Sequence, residues 1–444
     1  MEADRRQWRG YDGEGWAVAI LDSGVDSGHM FFEDRSIGNE IDGYGHRVVA
    51  EACFGQNVPD FMVSQCADGL PTVIGPGAGQ ACTGSGDCSH GTHVAGIAAG
   101  FNHDSELAGV APAADIVAVQ VFGRIDDPGT CSPRNTPCLT AYDSELLAAL
   151  EFVYLLDQRS IPAYSELDTR IAVVNMSLGG GQYGAPCDYS PLKPVIDLLR
   201  SAGIATVISS GNNSYTTSVG SPGCISSAVT VGSTDDGSDG SPDFSLPTTV
   251  DAGSSFSNSS PDVQLLAPGR WINSAVVGDG TYANYSGTSM AAPQVTGAFA
   301  LLRHAREAWS VSEVLAALVD TGVAITDGRA GADGRVLPRI DLAAAIESDP
   351  GLPTSPSLRN STFTVDPMRV IPDGTSFATV TVGLRNDLSD LVHVPDAALE
   401  ITASRGVLTV PVDNGDGTWS ALISSDTVGR SVITATLDGE PLSQ

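Results

Sequence analysis

Basic residues are scarce in this chain of 444 residues. Lysine and arginine together number 22, only Lys193 being lysine, against 53 aspartates and glutamates, for a formal net charge of −31. Such a surface repels phosphate backbones, which argues against nucleic acid as a partner. It also keeps a protein dispersed and monomeric where salt screens charge, so we read it as adaptation to a saline exterior. Aromatics are few at 6%, yet hydrophobic content reaches 42% with 50 glycines and 26 prolines. That composition excludes a disordered or fibrous chain and fits an ordered, turn-rich globular one. No apolar run approaches the roughly 18 residues expected of a membrane-crossing helix, so no membrane partner is expected. The start, Met1 to Gly10, is polar and lacks a signal-peptide core. The 8 cysteines nevertheless favour an oxidising, extracellular compartment, so a signal and any pro-segment are expected to have been removed upstream.

The length suits a large α/β domain followed by a small second one. Between residues 16 and 348 short, nearly unbroken apolar runs alternate with helical periodicity. Trp16 to Leu21, Ile116 to Phe122, Ile171 to Asn175, Ala205 to Ser209 and Ala228 to Val231 read as strands buried on both faces of a parallel sheet. Asp143 to Asp157 and Pro191 to Ser201 each carry an apolar helical stripe. The expectation is an α/β three-layer sandwich over residues 1–348. Residues 349–356, with three prolines, read as a linker. Beyond them the pattern turns to period two: Ala378, Val380, Val382 and Leu384 alternate with threonines, so 357–444 read as an all-β sandwich.

Three segments place a reactive side chain where a buried strand ends or a helix begins. In Ala19-Ile-Leu-Asp-Ser-Gly-Val-Asp26 a strand ends on Asp22, a carboxylate able to orient an imidazole. By itself such an aspartate equally caps a helix or accepts turn bonds. Ser89-His-Gly-Thr-His-Val-Ala-Gly96 opens a small-residue helix, with His90 at its start and His93 on its packed side. The His-x-x-His spacing lacks the glutamate of a zinc peptidase helix and has no third ligand in view. In Tyr285-Ser-Gly-Thr-Ser-Met-Ala-Ala-Pro293 the serine Ser289 stands at the entrance of an apolar helix, Met290 to Leu302. The free N–H groups there favour a developing negative charge, although an N-cap serine is the plainer reading of that segment alone.

Taken together, in the order Asp, His, Ser, these segments resemble the subtilisin-like (subtilase) serine proteases over about residues 8–348. The resemblance implies a secreted serine endopeptidase with Asp22, His90 and Ser289 as its charge relay and no cofactor required for the chemistry. It implies that Asn212, in Ser209-Ser-Gly-Asn-Asn213, is the oxyanion donor. Ser177, Leu178 and Gly179 would form one wall of the primary specificity pocket, and Ser209, Ser210 and Gly211 the other. Gly220 would form the floor, its missing side chain leaving room. With no carboxylate in these segments, large uncharged P1 residues are expected. The implied partners are peptide or protein substrates and a cleaved pro-segment acting as chaperone or inhibitor. The segment Phe101 to Leu107 stands where such proteins often bind calcium, but His103 and Phe31 occupy places where oxygen ligands would be expected, which disfavours that site. Asp104 or the loop Asp235 to Asp243 remain compatible with a structural calcium. The insertion Asp126 to Pro137 alters the region where an extended substrate is usually laid, so subsites beyond P1 are not carried across.

Spacing does not fix the connectivity of the cysteines. Cys131 with Cys138 would close the insertion and Cys187 with Cys224 would tie two loops beside the pocket, leaving Cys53, Cys66, Cys82 and Cys88 to pair among themselves. Cys82 with Cys88 would brace the loop that delivers His90, with a free Cys88 as the alternative. The tail resembles bacterial invasin-type immunoglobulin-like domains through Asp373-Gly374, Asp413-Asn-Gly-Asp-Gly-Thr-Trp419 and Ser431-Val-Ile-Thr-Ala-Thr-Leu-Asp-Gly439. It offers no catalytic cluster, so binding, spacing or folding support is its expected role. The competing functional class is an adhesin-like binding protein that uses a catalytically weak peptidase fold as scaffold.

Overall fold

The run that ends in Asp22 forms a strand, β1 (Trp16–Asp22), in which every residue is buried. Its alternation divides the interior: Trp16, Val18 and Ile20 belong to one apolar cluster, Ala17, Ala19 and Leu21 to another. A strand covered on both faces has no polar side to show, which is why its sequence reads as unbroken hydrophobicity. The computed structural model that gives this arrangement describes residues 11–34, 45–84, 86–102, 107–131, 136–235, 251–348, 356, 358, 361–385, 391–392, 394, 397–415 and 417–442. Two compact units divide at residues 350 and 351. The expected linker 349–356 lies, Pro356 apart, outside the described residues.

In the larger unit β1 is joined by β2 (Val48–Phe54), β3 (Thr72–Ile74), β4 (Asp115–Gln120), β5 (Arg170–Met176), β6 (Ala205–Ser209), β7 (Val229–Thr234), β8 (Leu265–Pro268), β9 (Val323–Thr326) and β10 (Val336–Arg339). They form one sheet in the order β9-β10-β8-β7-β6-β5-β1-β4-β2-β3. All neighbours are parallel except the end pairs β9 with β10 and β2 with β3. One face is covered by helices α1 (His90–Ala99), α4 (Thr288–Ala305), α5 (Val311–Asp320) and α6 (Leu342–Glu347), the other by α2 (Asp143–Asp157) and α3 (Lys193–Ser201). The fold is therefore a three-layer α/β sandwich with a mostly parallel sheet.

The structure differs from expectation where short or polar elements are carried by pairing. The apolar run of strand β2 is broken by Glu51, which stays in the ladder opposite Ala118 and whose buried carboxylate accepts from the backbone N–H of Gly77 and, at 3.2 Å, from Gln80 Nε2. Helix α4 begins at Thr288, so Ser289 lies inside its first turn rather than just ahead of it. Four disulfides join Cys53 to Cys66, Cys82 to Cys88, Cys131 to Cys138 and Cys187 to Cys224.

The smaller unit is all-β. Strands Thr362–Asp366, Phe377–Gly383, Thr418–Ser424, Val407–Leu408 and Val412–Asp413 form one sheet, and Leu399–Ala403, Ile433–Leu437 and Glu440–Pro441 a second. Ala378, Val380, Val382 and Leu384 are buried together with Ile401, Ala435 and Leu437, so residues from both sheets share one core. At Asp373 the side chain accepts the backbone N–H of Thr375 at 2.8 Å and of Ser376 at 2.6 Å, which turns the chain into strand Phe377–Gly383.

Because this core is its own and contains no cysteine, residues 351–444 expressed alone should unfold in one cooperative transition that is indifferent to reductant. A far-UV circular dichroism melt with and without dithiothreitol checks this; a disordered spectrum would refute an independent module.

Candidate active site

Strand β1 delivers Asp22 fully buried at its C-terminal end. A buried carboxylate needs donors. Oδ1 accepts the N–H of Ser23 at 2.7 Å and lies 2.8 Å from Nδ1 of His90, the first residue of α1. Nδ1 facing a carboxylate must carry the proton, which leaves the Nε2 lone pair of neutral His90 free for chemistry. Burial pulls the imidazole below its ordinary value of 6.5, but the charge and hydrogen bond of Asp22, with Asp87 adding, more than offset it, and the net shift is upward. The ring is half-buried, its side chain 29% exposed, so one edge faces solvent.

Helix α4 carries Ser289. A Cβ built on Gly297 would lie 2.7 Å from the carbonyl oxygen of Ala98. Gly297 is eight residues after Ser289, and Ala98 eight after His90. His90 bonds Asp22 at the C-terminal end of β1, and Ser289 bonds Ser177 just past the C-terminal end of the adjacent parallel strand β5, so both helices begin at the same edge of the sheet and His90 and Ser289 share one end. In this resting geometry the Ser289 hydroxyl donates to the Ser177 carbonyl at 3.2 Å. The Ser177 hydroxyl in turn donates to the Ser289 carbonyl at 2.9 Å. Behind it a buried relay runs from Thr296 Oγ1 to Asn175 Oδ1 at 2.9 Å and from Asn175 Nδ2 to Ser177 Oγ at 2.9 Å.

Asn212 follows β6, and its Oδ1 accepts from both the N–H of Thr288 at 2.8 Å and the Thr288 hydroxyl at 2.9 Å. The oxygen is thus anchored beside the serine. Among the described residues Nδ2 has no acceptor, and the side chain is exposed. The proposed pocket segments also meet: Ser209 Oγ donates to the Leu178 carbonyl at 3.5 Å and Gly220 N donates to the Ser210 carbonyl at 3.0 Å. Strand Gly180–Tyr183 pairs antiparallel with Val219–Ser221, and Cys187–Cys224 closes the two loops behind it. A Cβ on Gly220 would come within 3.3 Å of the Gly180 backbone, so this glycine serves the close approach of the ribbon as much as the space of a pocket.

His93 is a packed histidine. It is fully buried, its Nε2 bonds the carbonyls of Ile272 at 3.1 Å and Ala283 at 3.0 Å, and its ring stacks on Tyr285 with centroids 4.3 Å apart. Burial, with the nearby His90, pushes its pKa down to about 4. Among the described residues no group of three or more His, Cys, Asp or Glu side chains is placed to hold a metal ion. Phe31, 1% exposed, belongs to the core. His103 and Asp104 lie outside the described residues, as does the expected calcium loop beyond Asp235. Sequence reasoning missed Thr288, Asn175 and Thr296, although Thr288 stands inside the segment that identified Ser289.

Comparison with known proteins places these segments. The profile described as Subtilase family matches residues 13–336, and that described as Invasin, domain 3 matches 357–444. Subtilisin E of Bacillus subtilis is 29% identical over 309 residues, 69% of this chain and 60% of that protein. Subtilisin of Bacillus pumilus is also 29% identical over 309 residues, covering 83% of it. Alkaline serine exoprotease A of Vibrio alginolyticus is 31% identical over 320 residues, 72% of this chain and 44% of that one. The chain therefore spans well under two thirds of the length of subtilisin E and of the exoprotease. Among solved structures, proteases from Pseudoalteromonas arctica superpose with a TM-score of 0.53 at 23% identity, covering 77% of this chain and 91% of theirs, which speaks for the fold.

The buried histidine has a consequence for stability. Between about pH 6.5 and 4 unfolded His93 binds a proton that the folded state refuses, so stability falls as pH falls through that window. His90, with its raised pKa, contributes no slope there, because below 6.5 it is protonated in both states. The stability difference between wild type and His93→Gln should therefore shrink by about 3 kcal/mol from pH 7 to 4. Urea unfolding at several pH values measures it; a constant difference would overturn the neutral-histidine assignment.

Proposed function

The chain belongs to the subtilase family, and on that premise we propose that it is an extracellular serine endopeptidase that hydrolyses peptide bonds through an acyl-enzyme. The observation that carries the proposal is the placement of Asp22-bound His90 and of Ser289 at the C-terminal ends of two adjacent parallel strands. In the proposed reaction the Ser289 hydroxyl turns from the Ser177 carbonyl to His90 Nε2. His90 takes its proton as Oγ attacks the scissile carbonyl. Asp22 holds the Nδ1–H and stabilises the imidazolium so formed. The oxyanion receives a hydrogen bond from Asn212 Nδ2, aided by the N-terminal dipole of α4. His90 then returns the proton to the departing amine, the C–N bond breaks, and a water activated by the same imidazole releases the acid.

Every group used is a side chain or backbone amide of this chain, so the chemistry needs no cofactor. The pocket segments supply hydroxyls, backbone and Leu178 without a carboxylate, which favours large uncharged P1 side chains over arginine or lysine. Four disulfides support an oxidising, extracellular setting. The net charge of −31 supports a saline one, a monomeric state and no affinity for nucleic acid.

Ser289→Ala should abolish peptidase activity and labelling by a fluorophosphonate while leaving the melting curve in place; labelled variant protein would refute the nucleophile. Asn212→Ala should lower kcat roughly 10²–10³-fold with KM little changed, the size of losing one oxyanion donor. A KM effect alone would reduce Asn212 to a substrate contact.

Against the pull of burial, Asp22 and Asp87 raise the pKa of His90 above its ordinary value of 6.5. The rising limb of kcat/KM against pH should have its midpoint above 6.5, and Asp87→Asn should move it down by removing one of the charges that stabilise the imidazolium. A midpoint below 6.5, or one unmoved in Asp87→Asn, would contradict this electrostatic account.

A further inference from the structure

Residues 210–215 follow β6 and form no strand or helix of their own, yet they carry Asn212. On one side they are fastened to Thr288, whose hydroxyl accepts Gly211 N at 3.1 Å and donates to Asn212 Oδ1. On the other side stands Asn258, only 1% exposed, in a serine-rich loop that none of the motifs drew attention to. Its Oδ1 accepts the N–H of Asn213 at 2.9 Å and of Tyr215 at 3.1 Å. Its Nδ2 donates to the Ser210 carbonyl at 3.0 Å and to Asn213 Oδ1 at 3.4 Å. Its backbone N–H donates to the Gly211 carbonyl at 2.9 Å, and its carbonyl accepts the Ser210 hydroxyl at 3.0 Å.

These bonds land on residues 210, 211, 213 and 215 and pass over 212. Asn258 therefore serves as a substitute partner strand for a segment that lacks one, fixing the backbone on either side of Asn212 while leaving the Asn212 side chain free to face substrate. The approach is as close as the chain allows. Gly211 has φ +105°, and a Cβ there would fall 2.4 Å from Asn258 Nδ2. We infer that Asn258 is a positioning residue for catalysis: it sets the place of the Asn212 amide through residues 210–215 without touching substrate. The inference rests on the proposed oxyanion role of Asn212.

The chemistry demands asparagine. A carboxylate at 258 would turn an oxygen toward two acceptors, the Ser210 carbonyl and Asn213 Oδ1, and repel both. A serine would keep a hydroxyl but lose the reach to bridge donors and acceptors together. Since an oxyanion donor misplaced by about 1 Å forfeits much of its worth, either change should register in kcat before KM.

The test is a double-mutant cycle on a peptide p-nitroanilide with phenylalanine at P1. Asn258→Asp and Asn258→Ser are each made in the wild-type chain and in Asn212→Ala, with melting curves confirming the fold. Positioning through Asn212 predicts that Asn258→Asp lowers kcat roughly 10- to 100-fold in the wild type with KM within about threefold. In Asn212→Ala the same substitution should lower kcat less than about threefold, because the group being positioned is gone. Asn258→Ser should show a smaller effect with the same coupling, and it replaces the aspartate variant if that one fails to fold. Equal losses in both backgrounds would overturn the inference and leave Asn258 a structural residue. An Asn212→Ala enzyme with unchanged kcat would instead overturn the oxyanion reading, and the inference with it.

Discussion

A carboxylate buried at the end of a central strand is the interaction on which the rest of the site depends. Asp22 is wholly desolvated, a state that costs several kcal/mol unless donors meet it. The two that do, Ser23 N–H and His90 Nδ1–H, define where the first turn of α1 must lie. Ser23 then ties that turn to the preceding loop: its carbonyl accepts Cys82 N at 2.8 Å, and its hydroxyl bonds Cys88 O at 3.3 Å and Gly91 N at 3.0 Å. The Cys82–Cys88 bond spans the same two points, so the chain entering α1 is closed covalently where it is also held by hydrogen bonds. His90 is oriented by one strand end and one short loop, not by the helix alone.

The parts of this arrangement that sequence reveals are those whose physics is local. A strand covered on both faces must be apolar throughout, so β1, β4, β5, β6 and β7 could be read directly. The pairs at the two ends of the sheet could not. Val323–Thr326 is exposed at three of its four positions, and Thr72–Ile74 buries none of its residues; both exist because a neighbouring strand pairs with them. The triad candidates were legible because each sits among small residues at a strand end or helix start. The roles of Thr288, Asn175, Thr296 and Asn258 arise from partners 43 to 121 residues away, and a serine-rich stretch such as 254–260 reads as an ordinary turn until its partner is known.

In the tail the alternation that predicted a sandwich also places its outward face. Phe377, Val407, Val412 and Leu422 are exposed, and the pairing of Phe377 and Val407 with Ser424 sets both on the same side of the sheet. The same side carries Thr364, Thr379, Thr381 and Ser420 between these apolar groups, with Asp366 on the neighbouring strand.

The scarcity of cations gives those present a structural meaning. Arg329 donates to the carbonyls of Ser255 at 3.2 Å and Ser257 at 2.6 Å, and Arg335 to the Thr216 carbonyl at 2.9 Å and the Ser259 hydroxyl at 3.0 Å. Arg339 pairs with Asp251, and Arg270 with Asp235, whose carboxylate accepts the Ser254 hydroxyl. A guanidinium, with five donors in a rigid planar fork, holds several carbonyls in a set geometry that the flexible, point-like ammonium of lysine does not impose. Arg329, Arg335 and Arg339 bond residues 251–259, the loop that presents Asn258, and Arg270 reaches it through Asp235. Position is therefore passed inward in steps, from Arg329 and Arg335 to the serine-rich loop, from Asn258 to residues 210–215, and from there to the exposed amide of Asn212. In a chain with so few basic residues, four arginines stand at or beside the loop on which residues 210–215 lean, which makes arginine the outermost support of that segment's position.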